Sequence, residues 1–402
     1  MAAIALALAS NTYGAVTSVE LHRKNAKLDH VATRSDRNVV YYGVFNLGTP
    51  GHEFTGCFDT GSSDTWVPSV TCLGPSCLTH DRFNQLDSSS FRMTATTGRA
   101  RHVDNSFGGT AFGPFSITYG TGQVVGTVAS DTLSVGSPPI TVNNQGFGLV
   151  FHASTDFLGV SCDGLFGLGF PSLSNLKTVP VFFNMIDSGF LDAPMFGMYL
   201  NPFPTAEPAG EIMFGGVNRT FFAGDLFEVP VVVKSYWVVG LAGLQVAGGT
   251  AGAGEQFPSS AKQVILDSGT SALLVSKTDA DSIHKRIPGI TKTLAGLWMV
   301  DGGCANVHKL PSVGFNLGTA DAPKYFDIPP ILWTKPIAGE TTGDMSGDCI
   351  SLIFPGTSDA EMILGAPFLR AWYTAYHYDP ITKAAKVGLA KPLTLDALIA
   401  ST

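Results

Sequence analysis

Along the chain, apolar and β-branched runs of four to eight residues recur between clusters of Gly, Pro, Asn and Ser, a pattern that predicts a mainly β protein. The 46 glycines supply the punctuation. Helical periodicity is scarce, and the spacing predicts only short helices over Val179 to Ile186 and Asp279 to Arg286. Thr97 to Gly113 is rich in Gly and polar residues and reads as a surface loop. No run reaches the ~18 apolar residues that a membrane helix needs, and the tail from Pro392 is too short for an anchor. The start, with the apolar run Ala2 to Ala9 and small residues after it, resembles a signal peptide over 1–16 that lacks the usual basic opening.

Composition narrows this picture. The 402 residues exceed one ordinary core, since a domain takes roughly 100–200 residues, and two lobes are expected, over 39–227 and 228–402. Hydrophobic residues are 45% and charged ones 14%, which provides for large cores and excludes disorder. A net charge of −8 with no basic run argues against nucleic acid or an anionic membrane as partner. Six cysteines, at 57, 72, 77, 162, 304 and 349, fit no zinc spacing. Cys72 and Cys77 bracket the turn-forming Leu-Gly-Pro-Ser, which a local disulfide would close in an oxidising compartment.

The most informative feature is an internal repeat. Cys57-Phe-Asp-Thr-Gly-Ser-Ser63 lies on Ile265-Leu-Asp-Ser-Gly-Thr-Ser271, each an apolar strand running into Asp, a hydroxyl residue and Gly. A second pair follows in the same order: Gly164-Leu-Phe-Gly167 ends 108 residues after Asp59, and Met362-Ile-Leu-Gly365 ends 98 after Asp267. Duplicated lobes are a direct way to bring two equivalent groups face to face. Glycine lets the backbone turn sharply and approach its partner, while short hydroxyls can donate to a carboxylate without filling the space a water needs.

These motifs, with Trp66-Val-Pro-Ser69, Ile117-Thr-Tyr-Gly-Thr-Gly122 and Phe368-Leu-Arg-Ala-Trp-Tyr373, resemble the pepsin family of aspartic proteases, from about Val39 to Pro392. The resemblance implies a bilobal, mainly β fold with a central cleft. It also implies an endopeptidase in which Asp59 and Asp267 share one proton and activate a water between them, with hydrophobic residues flanking the cut bond. Thr60 and Ser268 match the hydroxyls that cross-brace the two loops, Gly61 completes the first turn, and Ser62 and Thr270 are placed to bond the carboxylates. Tyr119 resembles the flap tyrosine, with Trp66 as its partner, and Gly120, Thr121, Gly269 and Thr270 match peptide-binding positions. A peptide or protein substrate is implied, with no cofactor or metal. A monomer is expected, because both half-sites are in one chain. An inactive binding relative would lose an Asp, a Gly or the flap Tyr, and all are present.

Several positions depart from the family pattern. Cys72–Cys77 and Cys304–Cys349 match two expected bridges, whereas Cys57 and Cys162 replace larger apolar residues beside the cleft, either as a third disulfide or as two free thiols. Ala366 stands where many acid proteases of the family have Asp, which implies a less acidic pH optimum than pepsin's. Val19-Glu-Leu-His-Arg23 resembles the start of an inhibitory pro-segment, here only 17–38, with Lys24, Lys27 and Arg37 as candidates to neutralise the dyad. Asn218-Arg-Thr220 is a glycosylation sequon. Secretion, or an acidic vacuolar or lysosome-like compartment, is the expected destination.

Overall fold

A computed structural model describes residues 15–25, 39–93, 113–120, 122–203, 206–248, 252–319, 321–337 and 347–400. The expected loop Thr97 to Gly113, residues 1–14 of the expected signal peptide, Lys27, Arg37 and Thr121 all lie outside these but for Gly113. The fold is mainly β and bilobal, as expected.

Each half of the chain repeats one arrangement. In the first, strand His52–Asp59 pairs antiparallel with Val39–Leu47 and parallel with Gly164–Gly167, placing Asp59 opposite Gly167. In the second, Gln263–Leu266 pairs antiparallel with Trp237–Gly248 and parallel with Glu361–Leu364. Gln263–Leu266 is buried at its last three positions, while His52–Asp59 alternates between buried and half-buried positions from Phe54 until it ends on buried Phe58 and Asp59.

The two halves share a sheet that the repeat does not reveal. Its antiparallel order is Thr17–Asn25, Gly210–Phe214, Met195–Leu200, Tyr373–Tyr378, Ala385–Ala390 and Phe227–Lys234. The expected boundary at 227 falls at the start of the last of these strands. Thr17–Asn25, inside the expected pro-region, is thus an edge strand here, and Lys24 lies opposite Val40 of the next strand. Ala15, within the expected signal peptide, is also part of this body through its N–H to Phe190 O (2.8 Å).

Aromatic rings pack beneath the dyad against this sheet. Phe196 stacks on Tyr376 at 4.6 Å, and Phe170 and Tyr376 lie 4.6 and 5.1 Å from Trp237. Trp237 donates its indole N–H to Leu168 O (3.0 Å), one residue past Gly167, and so binds the two halves together. Each such side chain, removed from water, contributes about 1.5–3 kcal/mol.

Both expected helices form, over Val181–Asp187 and Lys277–His284. The first buries Val181, Phe182, Phe183 and Met185 on the shared sheet. The second begins at Ser276, whose Oγ accepts the N–H of Asp279 at 3.0 Å. A helix over Leu393–Ala400 was not expected, because its apolar residues show no helical stripe. Among the described residues, no helix is long and apolar enough to cross a membrane.

The second helix ends on His284, which is buried. Its Nδ1 lies 2.6 Å from Ala280 O, its Nε2 2.8 Å from Ser351 Oγ, and its ring stacks on Trp298 at 4.5 Å. Burial pushes its pKa down to about 4 against the opposing pull of the Ala280 carbonyl and Asp281. The unfolded chain therefore binds this proton first, so the stability His284 contributes is complete above pH 6.5 and lost as pH falls to 4. The loss should be about 3 kcal/mol, read as the difference in urea unfolding between wild type and His284→Asn at pH 7 and pH 4. Equal pH dependence in the two proteins would refute it.

Candidate active site

Each apolar dyad strand delivers its Asp to a tight loop whose own backbone and hydroxyls hold the carboxylate. Asp59 accepts from Gly61 N (2.8 Å) and Ser62 Oγ (2.6 Å); Asp267 accepts from Gly269 N (2.8 Å) and Thr270 Oγ1 (2.5 Å). These contacts are local, so the five-residue motif dictates them. The loops then clasp each other. Thr60 Oγ1 donates to Leu266 O (2.8 Å) and accepts from Ser268 N (2.9 Å), while Ser268 Oγ donates to Phe58 O (2.7 Å) and accepts from Thr60 N (3.0 Å). All four bonds are buried, where an unpaired partner would cost about 1–3 kcal/mol.

The clasp forces the carboxylates together. A Cβ built on Gly61 would strike the Asp267 carboxylate, and one on Gly269 would strike that of Asp59. Only glycine fits either position. Below the loops, a Cβ on Gly167 would meet the Ser63 backbone and one on Gly365 the Thr270 carbonyl, which explains the second repeated Gly. Asp59 and Asp267 are 8% and 9% exposed. Burial, then the charge of Asp267, pushes the Asp59 pKa up to about 8 against the donors Ser62 and Gly61. One proton is thereby retained by the pair, and its assignment to either oxygen set belongs to the coupled system.

The hairpin Pro114–Thr118 with Gln123–Val135 closes through Tyr119 N to Gly122 O (2.9 Å), with Gly122 at φ +91° where glycine is favoured. Trp66 Nε1 donates to Tyr119 Oη at 2.8 Å. Phe157 meets both rings edge-on, 5.6 Å from Trp66 and 6.2 Å from Tyr119. Gly120 at the tip has open space around it. The phenol pKa of Tyr119 is raised by burial, and its neighbours include the Asp64 and Asp59 charges.

Three site residues were not singled out from sequence. Phe157 offers no local signal, since one aromatic in a polar loop is ordinary. Tyr236 sits in the two-residue turn before Trp237; burial and the charges of Asp267, Glu361 and Asp59 raise its phenol pKa. Asp64 does carry a signal, as a second acid in Asp59-Thr-Gly-Ser-Ser-Asp64. It is 2% exposed and accepts from Ser174 Oγ (2.6 Å) and Asn175 N (2.8 Å), which fastens the segment after Gly169 to the first loop. Among the described residues, no group of three His, Cys, Asp or Glu is arranged to hold a metal.

A family model described as eukaryotic aspartyl protease matches residues 40–392. The chain belongs to that family. Relatives include embryonic pepsinogen of Gallus gallus, 33% identical over 358 residues, covering 89% of this chain and 81% of the relative. Pepsin A of Bos taurus is 32% identical over 338 residues, with 84% and 81% covered. Cathepsin E-B of Xenopus laevis is 34% identical over 281 residues, with 70% and 64% covered. Pepsins, pepsinogens and cathepsin E are aspartic endopeptidases, and the chain is one by family.

Within this aspartic protease all six cysteines are paired, as Cys57–Cys162, Cys72–Cys77 and Cys304–Cys349. Of the two alternatives for Cys57 and Cys162, the bridge is the one present. Ala366 is 1% exposed and gives its N–H to Thr270 O at 2.7 Å, so no carboxylate stands there beside Asp267. At the sequon, Asn218 Nδ2 donates to Glu211 Oε1 (2.9 Å) and Thr220 Oγ1 donates to Asn218 Oδ1 (2.6 Å).

Proposed function

We propose that this aspartic protease cleaves peptide bonds with a water held between Asp59 and Asp267. The reciprocal approach of Gly61 to Asp267 and of Gly269 to Asp59 supports this reading most directly, because it leaves the two carboxylates facing one small space. The ionised carboxylate takes a proton from the water as it attacks the scissile carbonyl, and the protonated partner donates to the carbonyl oxygen. Ser62, Thr270 and the N–H groups of Gly61 and Gly269 keep both acids aimed. Tyr119, held by Trp66, closes over the substrate, and Gly120, Thr121, Gly269 and Thr270 bind its backbone. Hydrophobic side chains flank the cut bond.

The enzyme works as a monomer in the secretory pathway, in keeping with three disulfides. Residues 1–16 act as its signal, 17–38 as a short pro-region, and Asn218 as a glycan site. The lobes are 39–227 and 228–402. The absence of a carboxylate at Ala366 sets a milder acid optimum than pepsin's. The test is cleavage of a general protein substrate at pH 3–6, abolished by a pepstatin-type inhibitor that mimics the tetrahedral intermediate. Cleavage unaffected by saturating inhibitor would overturn the mechanism.

A further inference from the structure

The flap hairpin rests on the turn Thr155–Phe157. Ser154, just before that turn, gives its N–H to Gln123 O at 2.9 Å and accepts the N–H of Gln123 on its Oγ at 3.0 Å, so it is bonded to the start of the second hairpin strand. A Cβ built on Gly122 would meet Ser154 Oγ, the Phe157 ring and Asp156, all within 3.0 Å. Phe157 also stands edge-on to Tyr119 and to the Trp66 that holds it. Whatever steadies this turn steadies Tyr119.

Two side chains from the segment after Cys72 hold the turn. Ser76 Oγ donates to Ser154 O at 2.7 Å, and His80 Nε2 lies 3.2 Å from Phe157 O. On the other side of the ring, His80 Nδ1 lies 3.6 Å from Asp163 Oδ1, with the two side chains 8% and 11% exposed. Asp163 is fixed in turn to the strand that carries Asp59: its Oδ2 accepts the N–H and the hydroxyl of Thr55, and its own N–H goes to Thr55 O at 2.9 Å. His80 therefore spans from the first dyad strand to the turn beneath the flap.

These contacts also fix the charge that the ring needs. A carbonyl oxygen only accepts, and Asp163, held at about 2, is a carboxylate at any higher pH. Both ring nitrogens thus face acceptors. The imidazolium, with two N–H groups, satisfies both, whereas neutral imidazole has one N–H and must give up one contact. Of the side chains lining the concavity around His80, only His80 and Asp163 titrate, because Cys77 and Cys162 are in disulfides. Of the neighbouring charges, Asp81 and Asp156 are exposed, and Arg82 donates to Val70 O and Cys72 O.

We propose that His80 is a positioning residue for the flap, an imidazolium latch that steadies Tyr119 over the cleft in acid and releases it towards neutral pH. This deepens the protease reading above and rests on it. Histidine changes charge between about pH 5 and 8, so the latch is complete below that range and lost above it. Cleavage then follows the acidity of the surroundings through a group outside the dyad.

The experiment sets wild type against His80→Leu, which removes both donors and leaves an apolar side chain of similar size. Phe157 O keeps Val160 N at 3.2 Å and Asp163 Oδ1 keeps Asp81 N at 2.9 Å, so neither acceptor is orphaned. On one peptide substrate, kcat/KM is measured from pH 4 to 7.5, per active site counted by titration with a pepstatin-type inhibitor. At pH 4 the variant should be lower by about 5-fold or more, the worth of a hydrogen bond from a charged group, and at pH 7.5 the two should agree within twofold. A merely structural role would lower the number of active sites, or the rate by one factor at every pH. Parallel profiles, or equal activity at pH 4, overturn the proposal. Should the variant not fold, hydrogen exchange of wild type decides. Protection of the Leu158 and Val160 N–H groups, which bond to Thr155 O and Phe157 O, should fall about 10-fold from pH 5 to 7.5 relative to the strand Trp237–Gly248. An equal change in both segments refutes the latch. This measurement needs no turnover, so a wild type that cleaves nothing at any pH defeats the protease reading and still leaves the latch to be judged.

Discussion

Asp59→Asn and Asp267→Asn should each lower kcat on a protein substrate by at least about 10⁴-fold. Proton transfer by a positioned acid or base contributes about 10²–10⁴, and here one substitution removes both roles, because an amide can neither accept the water's proton nor share one with its partner. The double variant should be little worse than either single one, since groups that act as a unit are not additive. Asn has the shape of Asp and its oxygen still accepts from Gly61 N or Gly269 N, so the fold should persist and circular dichroism should show it. A correctly folded single variant retaining more than about one part in a hundred of wild-type kcat would rule the dyad mechanism out.

The second large effect is on stability. Asp59 is held up at about 8 by burial and by Asp267. For an acid raised in this way the folded state binds the extra proton, so its contribution is complete below pH 3.8 and lost as pH climbs to 8. His284, pushed down to about 4, acts in the opposite sense between 4 and 6.5. At about 1.4 kcal/mol per unit for each group, the two slopes oppose each other from pH 4 to 6.5, and that of Asp59 continues above it. Asp163 sets the acid limit. Burial alone would raise its pKa, but His80, Thr55 and Asp81 N–H hold it at about 2, so its contribution is present above pH 3.8 and fades towards 2.

Relative to wild type, Asp59→Asn should therefore gain about 3 kcal/mol in unfolding free energy from pH 4 to 6.5 and about 2 kcal/mol more by pH 8, because it lacks the Asp59 slope. Urea unfolding at short incubation, to limit self-digestion, measures both. If Asp59→Asn falls between pH 6.5 and 8 as steeply as wild type, the raised pKa of Asp59 is not the cause.

What could be read from the chain alone was whatever is local or duplicated. The bonds of Gly61 and Ser62 to Asp59 span two and three residues, so a five-residue motif contains the whole turn, and its second copy at Asp267 marks it as more than a loop. The β class was legible because strands bury alternate or continuous apolar runs, and the helix at Val181–Asp187 because Val181 and Met185, four residues apart, share a face. The Leu393–Ala400 helix was not legible, because its apolar residues form no stripe.

Asp59, Asp267, their glycines and their hydroxyls were thus determined by sequence, since each loop closes on itself with atoms a few residues away. Tertiary structure decided the rest. The shared sheet pairs Met195–Leu200 with Tyr373–Tyr378 across about half the chain, and strand pairing at that distance leaves no period to detect. Phe157 and Tyr236 became site residues only when separate segments folded against the dyad strands. Alternation placed Cys57 on the face of Asp59, but whether Cys162 could reach it depended on a Cα separation of 5.6 Å across 105 residues. Packing alone sets such a distance, because a disulfide needs two backbones brought close and correctly aimed, and no local sequence encodes that.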